Sequence, residues 1–222
     1  MNDNPTVAII VFATLLGYTA GSLPTAYLLS RLKGVNIFEV GSRQAGATNV
    51  FREVSHTMGA AVFLIDAVKG LLAVLAARWL GMEGGLLLLP AFAVILGHWN
   101  SPMTRFKGGD GVSSLSGIGL GLAPQAVALP YILTAIVAVA WNSKLAHPTL
   151  WAAIIGYVTF LALAISPIAT VDPAVVIGMT VMGVSIMLHS VAFHRRSRSR
   201  MHPEGSPVDT DVENPPVQQT NC

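Results

Sequence analysis

Charge is what this sequence has least of. Only 11% of its 222 residues are Asp, Glu, Lys or Arg, less than half the roughly 25% of an average soluble domain. Too few solvated groups are present to cover a globular surface. Cysteine is almost absent as well. The single one, Cys222, is the last residue. It excludes an intrachain disulfide and any cysteine metal cluster, and with nothing after it Cys222 is no Cys-a-a-X prenylation signal. Metal spacing of the His-Glu-x-x-His kind and the Walker phosphate loop are both missing. His98, His189 and His194 are too scattered to place a Ser-His-Asp arrangement. No internal repeat suggests the paired halves of a transporter. The opening Met1-Asn2-Asp3-Asn4-Pro5 lacks the cationic region of a secretory signal, so the first apolar run is expected to be a retained span.

Apolar residues fill the gap. They make up 53% of the chain, and its mean hydropathy is +0.62. A helix needs about 20 apolar residues to cross a bilayer. Runs are predicted at residues 6–32, 58–80, 85–97, 112–122, 124–141, 150–165 and 173–193. The fourth is too short for an ordinary span unless it is thinly covered or partly re-entrant. Pro24 should break the first helix and free carbonyls there. Asp66 and Lys69 sit three residues apart, on one face of the second span, where an internal ion pair is their simplest role.

Orientation follows from the cations. With the N-terminus outside, the inner segments hold Arg31, Lys33, Arg43, Arg52, Arg105, Lys107, Lys144, Arg195, Arg196, Arg198 and Arg200. Arg78 is left outside, and Lys69 lies within a span. The positive-inside rule therefore predicts an all-α polytopic protein with seven transmembrane helices, N-terminus out and C-terminus cytosolic. Residues 1–194 form its membrane domain. Residues 195–222 form a basic, then disordered, tail, whose cluster around residues 194–200 suits anionic headgroups. The basic residues follow the membrane face, so nucleic acid is not an expected partner.

Three polar blocks fall on the inner face. The first contains Gly41-Ser42-Arg43-Gln44-Ala45-Gly46-Ala47-Thr48-Asn49-Val50-Phe51-Arg52. Open glycine amides, hydroxyls and guanidinium forks in so short a stretch suit an anion. The second runs from His98 to Gly111 and holds Arg105 and Lys107-Gly108-Gly109-Asp110-Gly111. Asp110 argues against a simple anion cradle, because a carboxylate repels phosphate. The third begins at His194.

With these blocks in place, the sequence resembles the acyl-phosphate:glycerol-3-phosphate acyltransferases of bacterial membranes, the PlsY family. The resemblance rests on Gly21-Ser22-Leu23-Pro24-Thr25-Ala26-Tyr27-Leu28-Leu29, Arg31-Leu32-Lys33-Gly34, the first block, Asp66, Lys69 and Gly70, Gly97-His98, Phe106-Lys107-Gly108-Gly109, and His194-Arg195. It implies seven helices in the inner membrane with a cytosolic site, and no metal or other cofactor. The implied reaction moves a fatty acyl group from acyl phosphate to the 1-hydroxyl of glycerol 3-phosphate. Ser42, Arg52 and His194 would be catalytic. Asn49, Thr48, Lys107, Gly108, Gly109, Gly111, Arg43 and Arg105 would serve substrate binding. Membrane lipids are the remaining partners.

This chain departs from the pattern in four places. It has Arg43-Gln44 where the family has Gly-Asn, Asp110 where it has a second lysine, and Ser197 where it has Asn, and Pro102 is shifted by one position. Three explanations stand open: Arg43 or Arg105 replaces the lysine, the acceptor is a less anionic alcohol, or the chain is a catalytically silent relative. A small transporter or scaffold is the competing class. The one-sided clustering of polar blocks weighs against it.

Overall fold

A computed structural model describes residues 5–140 and 148–201, with side chains left out at 135, 137–140, 148–153 and 194–201. All regular structure among the described residues is helical. The helices are α1 (Val7–Ser22), α2 (Thr25–Arg31), α3 (Ala47–Glu53), α4 (His56–Trp79), α5 (Leu88–Trp99), α6 (Val112–Leu122), α7 (Pro124–Ala140), α8 (Pro148–Ala164) and α9 (Pro173–Met201). Short 3-10 turns at Gly84–Leu87 and Pro102–Thr104 lead into α5 and the loop that follows it. Four stretches, Val7–Arg31, His56–Trp79, Gly84–Thr104 and Pro173–Phe193, are long and apolar enough to cross a membrane. Their outer faces carry exposed Leu15, Leu64, Leu72, Ile177 and Leu188, as lipid contact requires and water does not favour.

Glycine sets how closely the helices approach. A Cβ on Gly17 or Gly21 of α1 would strike the carbonyls of Pro90 and Val94 on α5. One on Gly117 of α6 would overlap the Ala67 carbonyl of α4. The order of these contacts gives direction: α1 runs parallel to α5. Likewise α6 runs parallel to α4, with Gly70 beside Ser114 and Gly121 beside Val74. At the far end, Arg78 donates from Nε to the Gly121 carbonyl and from Nη2 to the Leu122 carbonyl, both at 3.1 Å. A cation there satisfies carbonyls that the end of α6 leaves without intrahelical partners.

Lengths decide where the site lies. α4 has 24 residues and α6 has 11, so at 1.5 Å per residue they reach about 36 and 16 Å. α6 is paired only with the second half of α4. The space beside the first half is filled by α3, where a Cβ on Gly59 would strike Phe51, and by the chain between α2 and α3. A second small core supports that filling, built from Ala26, Ile37, Ala45, Val50 and Val62.

The break at Pro24 has a partner. Lys69 Nζ reaches the Leu23 carbonyl (2.7 Å), the Thr25 hydroxyl (3.1 Å) and Asp66 Oδ1 (2.7 Å). The expected internal ion pair is present, and it also ties α4 to the broken helix. Differences from expectation are local. The first polar block carries the helix α3, and α9 continues past residue 193 through Met201. The tail beyond residue 201 lies outside the described residues.

Candidate functional site

The first polar block is organised by Asn49, which is 5% exposed. Its Nδ2 donates to the carbonyls of Ile37 (3.3 Å), Val40 (3.2 Å) and Gln44 (3.0 Å), and its Oδ1 accepts from the Ser42 amide (3.1 Å). One side chain thus supplies what secondary structure would otherwise give this loop. Gly41 and Arg43 have φ of 52° and 59°, left-handed values that cost a residue with a Cβ about 1–2 kcal/mol. Arg105 and Phe106, at φ 55° and 60°, repeat this strain in the second block.

The second block is locked to its surroundings. Ser101 Oγ donates to the Ser22 carbonyl (2.5 Å), and Tyr18 Oη to the Asn100 carbonyl (3.1 Å). The Thr104 hydroxyl is set against the carbonyls of Ser101 and Lys107. Trp99 Nε1 donates to the Asp110 carbonyl at 2.7 Å. The two blocks then join directly, with the Ala45 amide donating to the Gly108 carbonyl at 3.3 Å. Gly108 has no room for a Cβ beside the His98 carbonyl, nor Gly109 beside the Ala45 carbonyl and His98 Nε2. These two glycines let loop pack on loop. Gly111, at φ 91°, begins α6. His98 is 8% exposed and turned toward Gly109, so it is packed within the loop junction.

Two cavities flank the joined loops. The larger, about 560 Å³, is lined by Arg43 and Lys107, by Phe38, Trp99 and Phe106, and by His189 and Phe193 of α9. His189 stacks on Trp99 with centroids 4.5 Å apart. Lys107 Nζ lies 5.9 Å from the Phe38 ring centre. Two cations within an aromatic wall suit a ligand with an anionic head and an apolar tail. The smaller cavity, about 190 Å³, is lined by Ser42, Gln44, Gly46, Thr48, Asn49, Arg52, Glu53 and Asp110. It mixes donors and acceptors and suits a small polyol carrying an anionic group.

The expected site residues are thus distributed between two chambers. Ser42, Thr48, Asn49 and Arg52 share the smaller one, while Arg43, Lys107 and Gly108 share the larger. Arg105 is exposed and lines neither. The His194 side chain lies outside the described residues, although its neighbours Ala192 and Phe193 line the larger cavity. His189 and Trp99 had been given no part in the site. Their spacing from one another on different helices carries no local signal.

Comparison with known proteins gives a consistent pattern. The family described as glycerol-3-phosphate acyltransferase matches residues 11–201. A glycerol-3-phosphate acyltransferase of Geobacter metallireducens is 46% identical over 110 residues, covering 50% of this chain and 57% of that protein. One from Geobacter sulfurreducens is 43% identical, covering 51% and 59%. The match spans less than two thirds of the length of these relatives. One from Aquifex aeolicus is 31% identical over 78% of this chain and 89% of that protein. Among solved structures, the glycerol 3-phosphate form of PlsY, an integral membrane glycerol 3-phosphate acyltransferase, matches with a TM-score of 0.69 at 26% identity. It covers 86% of this chain and 91% of that one. The lysophosphatidic acid form matches with a TM-score of 0.66.

Proposed function

This chain belongs to the glycerol-3-phosphate acyltransferase family, and on that footing we propose that it transfers a fatty acyl group from acyl phosphate to the 1-hydroxyl of glycerol 3-phosphate. The products are lysophosphatidic acid and phosphate. The single observation that carries this reading is the pair of cavities on either side of one loop junction, one cationic and aromatic, the other rich in hydroxyls and amides. Acyl phosphate occupies the first, its phosphate toward Arg43 and Lys107 and its chain along Phe38, Phe106 and α9. Glycerol 3-phosphate occupies the second, its phosphate toward Ser42, Thr48 and Arg52. His194 follows directly on Phe193, which lines the larger cavity.

An acyl phosphate is a mixed anhydride and needs no protein nucleophile. The protein contributes attack geometry, which is worth several kcal/mol of the barrier, and charge stabilisation at the carbonyl and the departing phosphate. The cations and the fixed loop amides supply the second.

The chain crosses the inner membrane seven times, N-terminus out and C-terminus in. The parallel pairs α1 with α5 and α4 with α6 support this topology. So does α9, which begins beside Gly84 and Gly85 and reaches Trp99 alongside α5. The deciding experiment uses purified protein in lipid with palmitoyl phosphate and glycerol 3-phosphate. Phosphate release that needs both substrates is expected. No release with both present, or release with one alone, would remove the proposal.

A further inference from the structure

The smaller cavity has an open side and a buried floor. Thr48 and Arg52 line it from exposed positions, while Gln44 and Asn49 line it from buried ones. The two floor residues end in the same primary amide but use it differently. Asn49 is spent on the loop: its Nδ2 donates to the Ile37, Val40 and Gln44 carbonyls, and its Oδ1 accepts from the Ser42 amide. Gln44 is buried as deeply, at 5% exposure, yet its Nε2 meets no hydrogen-bond partner among the described residues. Its backbone is held in place. Its own carbonyl receives one of the Asn49 bonds, and the next residue, Ala45, is bonded to Gly108.

A buried polar group with no partner is destabilising, and such groups in native proteins are as a rule satisfied. A ligand in the cavity that Gln44 lines supplies the missing partner. The kind of ligand group follows from the chemistry of the wall. Phosphate belongs at the open side, where Arg52 offers a charged fork and Thr48 a hydroxyl. The polyol end of the acceptor then faces the floor. A hydroxyl both donates and accepts, and so does a primary amide, whose nitrogen and oxygen exchange places by a half-turn. The carboxylates of Glu53 and Asp110 can only accept, and Glu53 is exposed and turned over Gly41. Of the two hydroxyls of glycerol 3-phosphate, the primary one must stay free to attack. The secondary one does not react and can be held.

Resting on the acyltransferase reading above and its placement of the acceptor in this cavity, we propose that Gln44 recognises the secondary hydroxyl of the acceptor. Its amide hydrogen-bonds that hydroxyl and fixes the orientation of the carbon chain. It thereby selects a diol phosphate over an alcohol phosphate that lacks the second hydroxyl. In the free protein the amide is a source of instability, which acceptor binding relieves.

The test pairs two acceptors with two proteins, in lipid with palmitoyl phosphate. Glycerol 3-phosphate is compared with 3-hydroxypropyl phosphate, which keeps the primary hydroxyl and the phosphate and lacks only the secondary hydroxyl. Wild type is compared with Gln44→Met, which keeps the length of the side chain and removes its amide. Wild type should favour glycerol 3-phosphate at least about tenfold in kcat/KM, because a site built to hydrogen-bond a hydroxyl rejects the analogue without it. Gln44→Met should reduce that preference to within about threefold, by losing activity on glycerol 3-phosphate and keeping that on the analogue. Its thermal unfolding midpoint, measured without acceptor, should equal or exceed that of wild type, since an apolar group of similar shape replaces an unpartnered buried amide. The proposal fails if wild type treats the two acceptors alike, if Gln44→Met keeps the preference, or if it loses both acceptors equally. A lower midpoint would mark Gln44 as a residue that supports the fold, and would overturn the proposal as well. A wild-type protein that transfers palmitoyl to neither acceptor overturns the acyltransferase reading itself, and this proposal with it.

Discussion

Arg43 holds a backbone conformation that glycine adopts freely and arginine does not. Its guanidinium faces the larger cavity with Lys107. Arg43→Gly should therefore hold or raise the unfolding temperature while raising the KM for palmitoyl phosphate at least about tenfold, as loss of one charge-assisted contact implies. Arg105→Gly should leave that KM within about twofold, because Arg105 touches neither cavity. Equal effects from the two would show that the cavity walls do not distinguish them. Lys69 belongs to the same scale. Lys69→Met strands a buried Asp66 carboxylate, which costs about 3–5 kcal/mol, and denaturation in detergent should show it. Adding Asp66→Asn should recover most of the loss. The spacing of Asp66 and Lys69 made their pairing legible, since residues three apart share a helix face. The bond from Lys69 to Leu23 crosses 46 positions, and nothing local announces it.

Among the elements, α6 was legible to its ends, because Gly111 and the turn at Ala123 and Pro124 bound one apolar run. α3 was not. Its seven residues include Thr48, Asn49 and Val50, which are poor helix formers. It holds because Val50 is buried in the second core and Asn49 is bonded to the preceding loop. The packing of α4 on α6 was hidden too, since a glycine looks alike in a loop and in a helix contact. Gly117→Ala places a methyl within the Ala67 carbonyl. It should destabilise the protein by roughly 1–3 kcal/mol, seen as a lower unfolding temperature. Gly183→Ala, with nothing within 4 Å, should not.

For the whole molecule, the distribution of cations and the directions of α1, α4, α5, α6 and α9 point the same way. A membrane-impermeant maleimide offers a direct check in a Cys222→Ser background. Arg105→Cys should react in inverted vesicles and Glu83→Cys in intact cells. Labelling of both from one side would unseat the orientation. The convergence of the first two polar blocks could be read from charge, but their division into two chambers could not, because the Ala45 to Gly108 contact, the seats of Gly108 and Gly109 and the short α6 leave no local signal. On the proposed topology, the start of α6 beside the middle of α4 recesses the proposed reaction chamber below the membrane surface. The two proposed substrates then have different routes to it, one down from solution and one sideways out of the lipid. Their concentrations are measured in different units: molarity for glycerol phosphate, mole fraction in the bilayer for the greasy donor. Diluting the vesicles with inert lipid should slow the enzyme through its donor alone, and extra buffer volume through its acceptor alone.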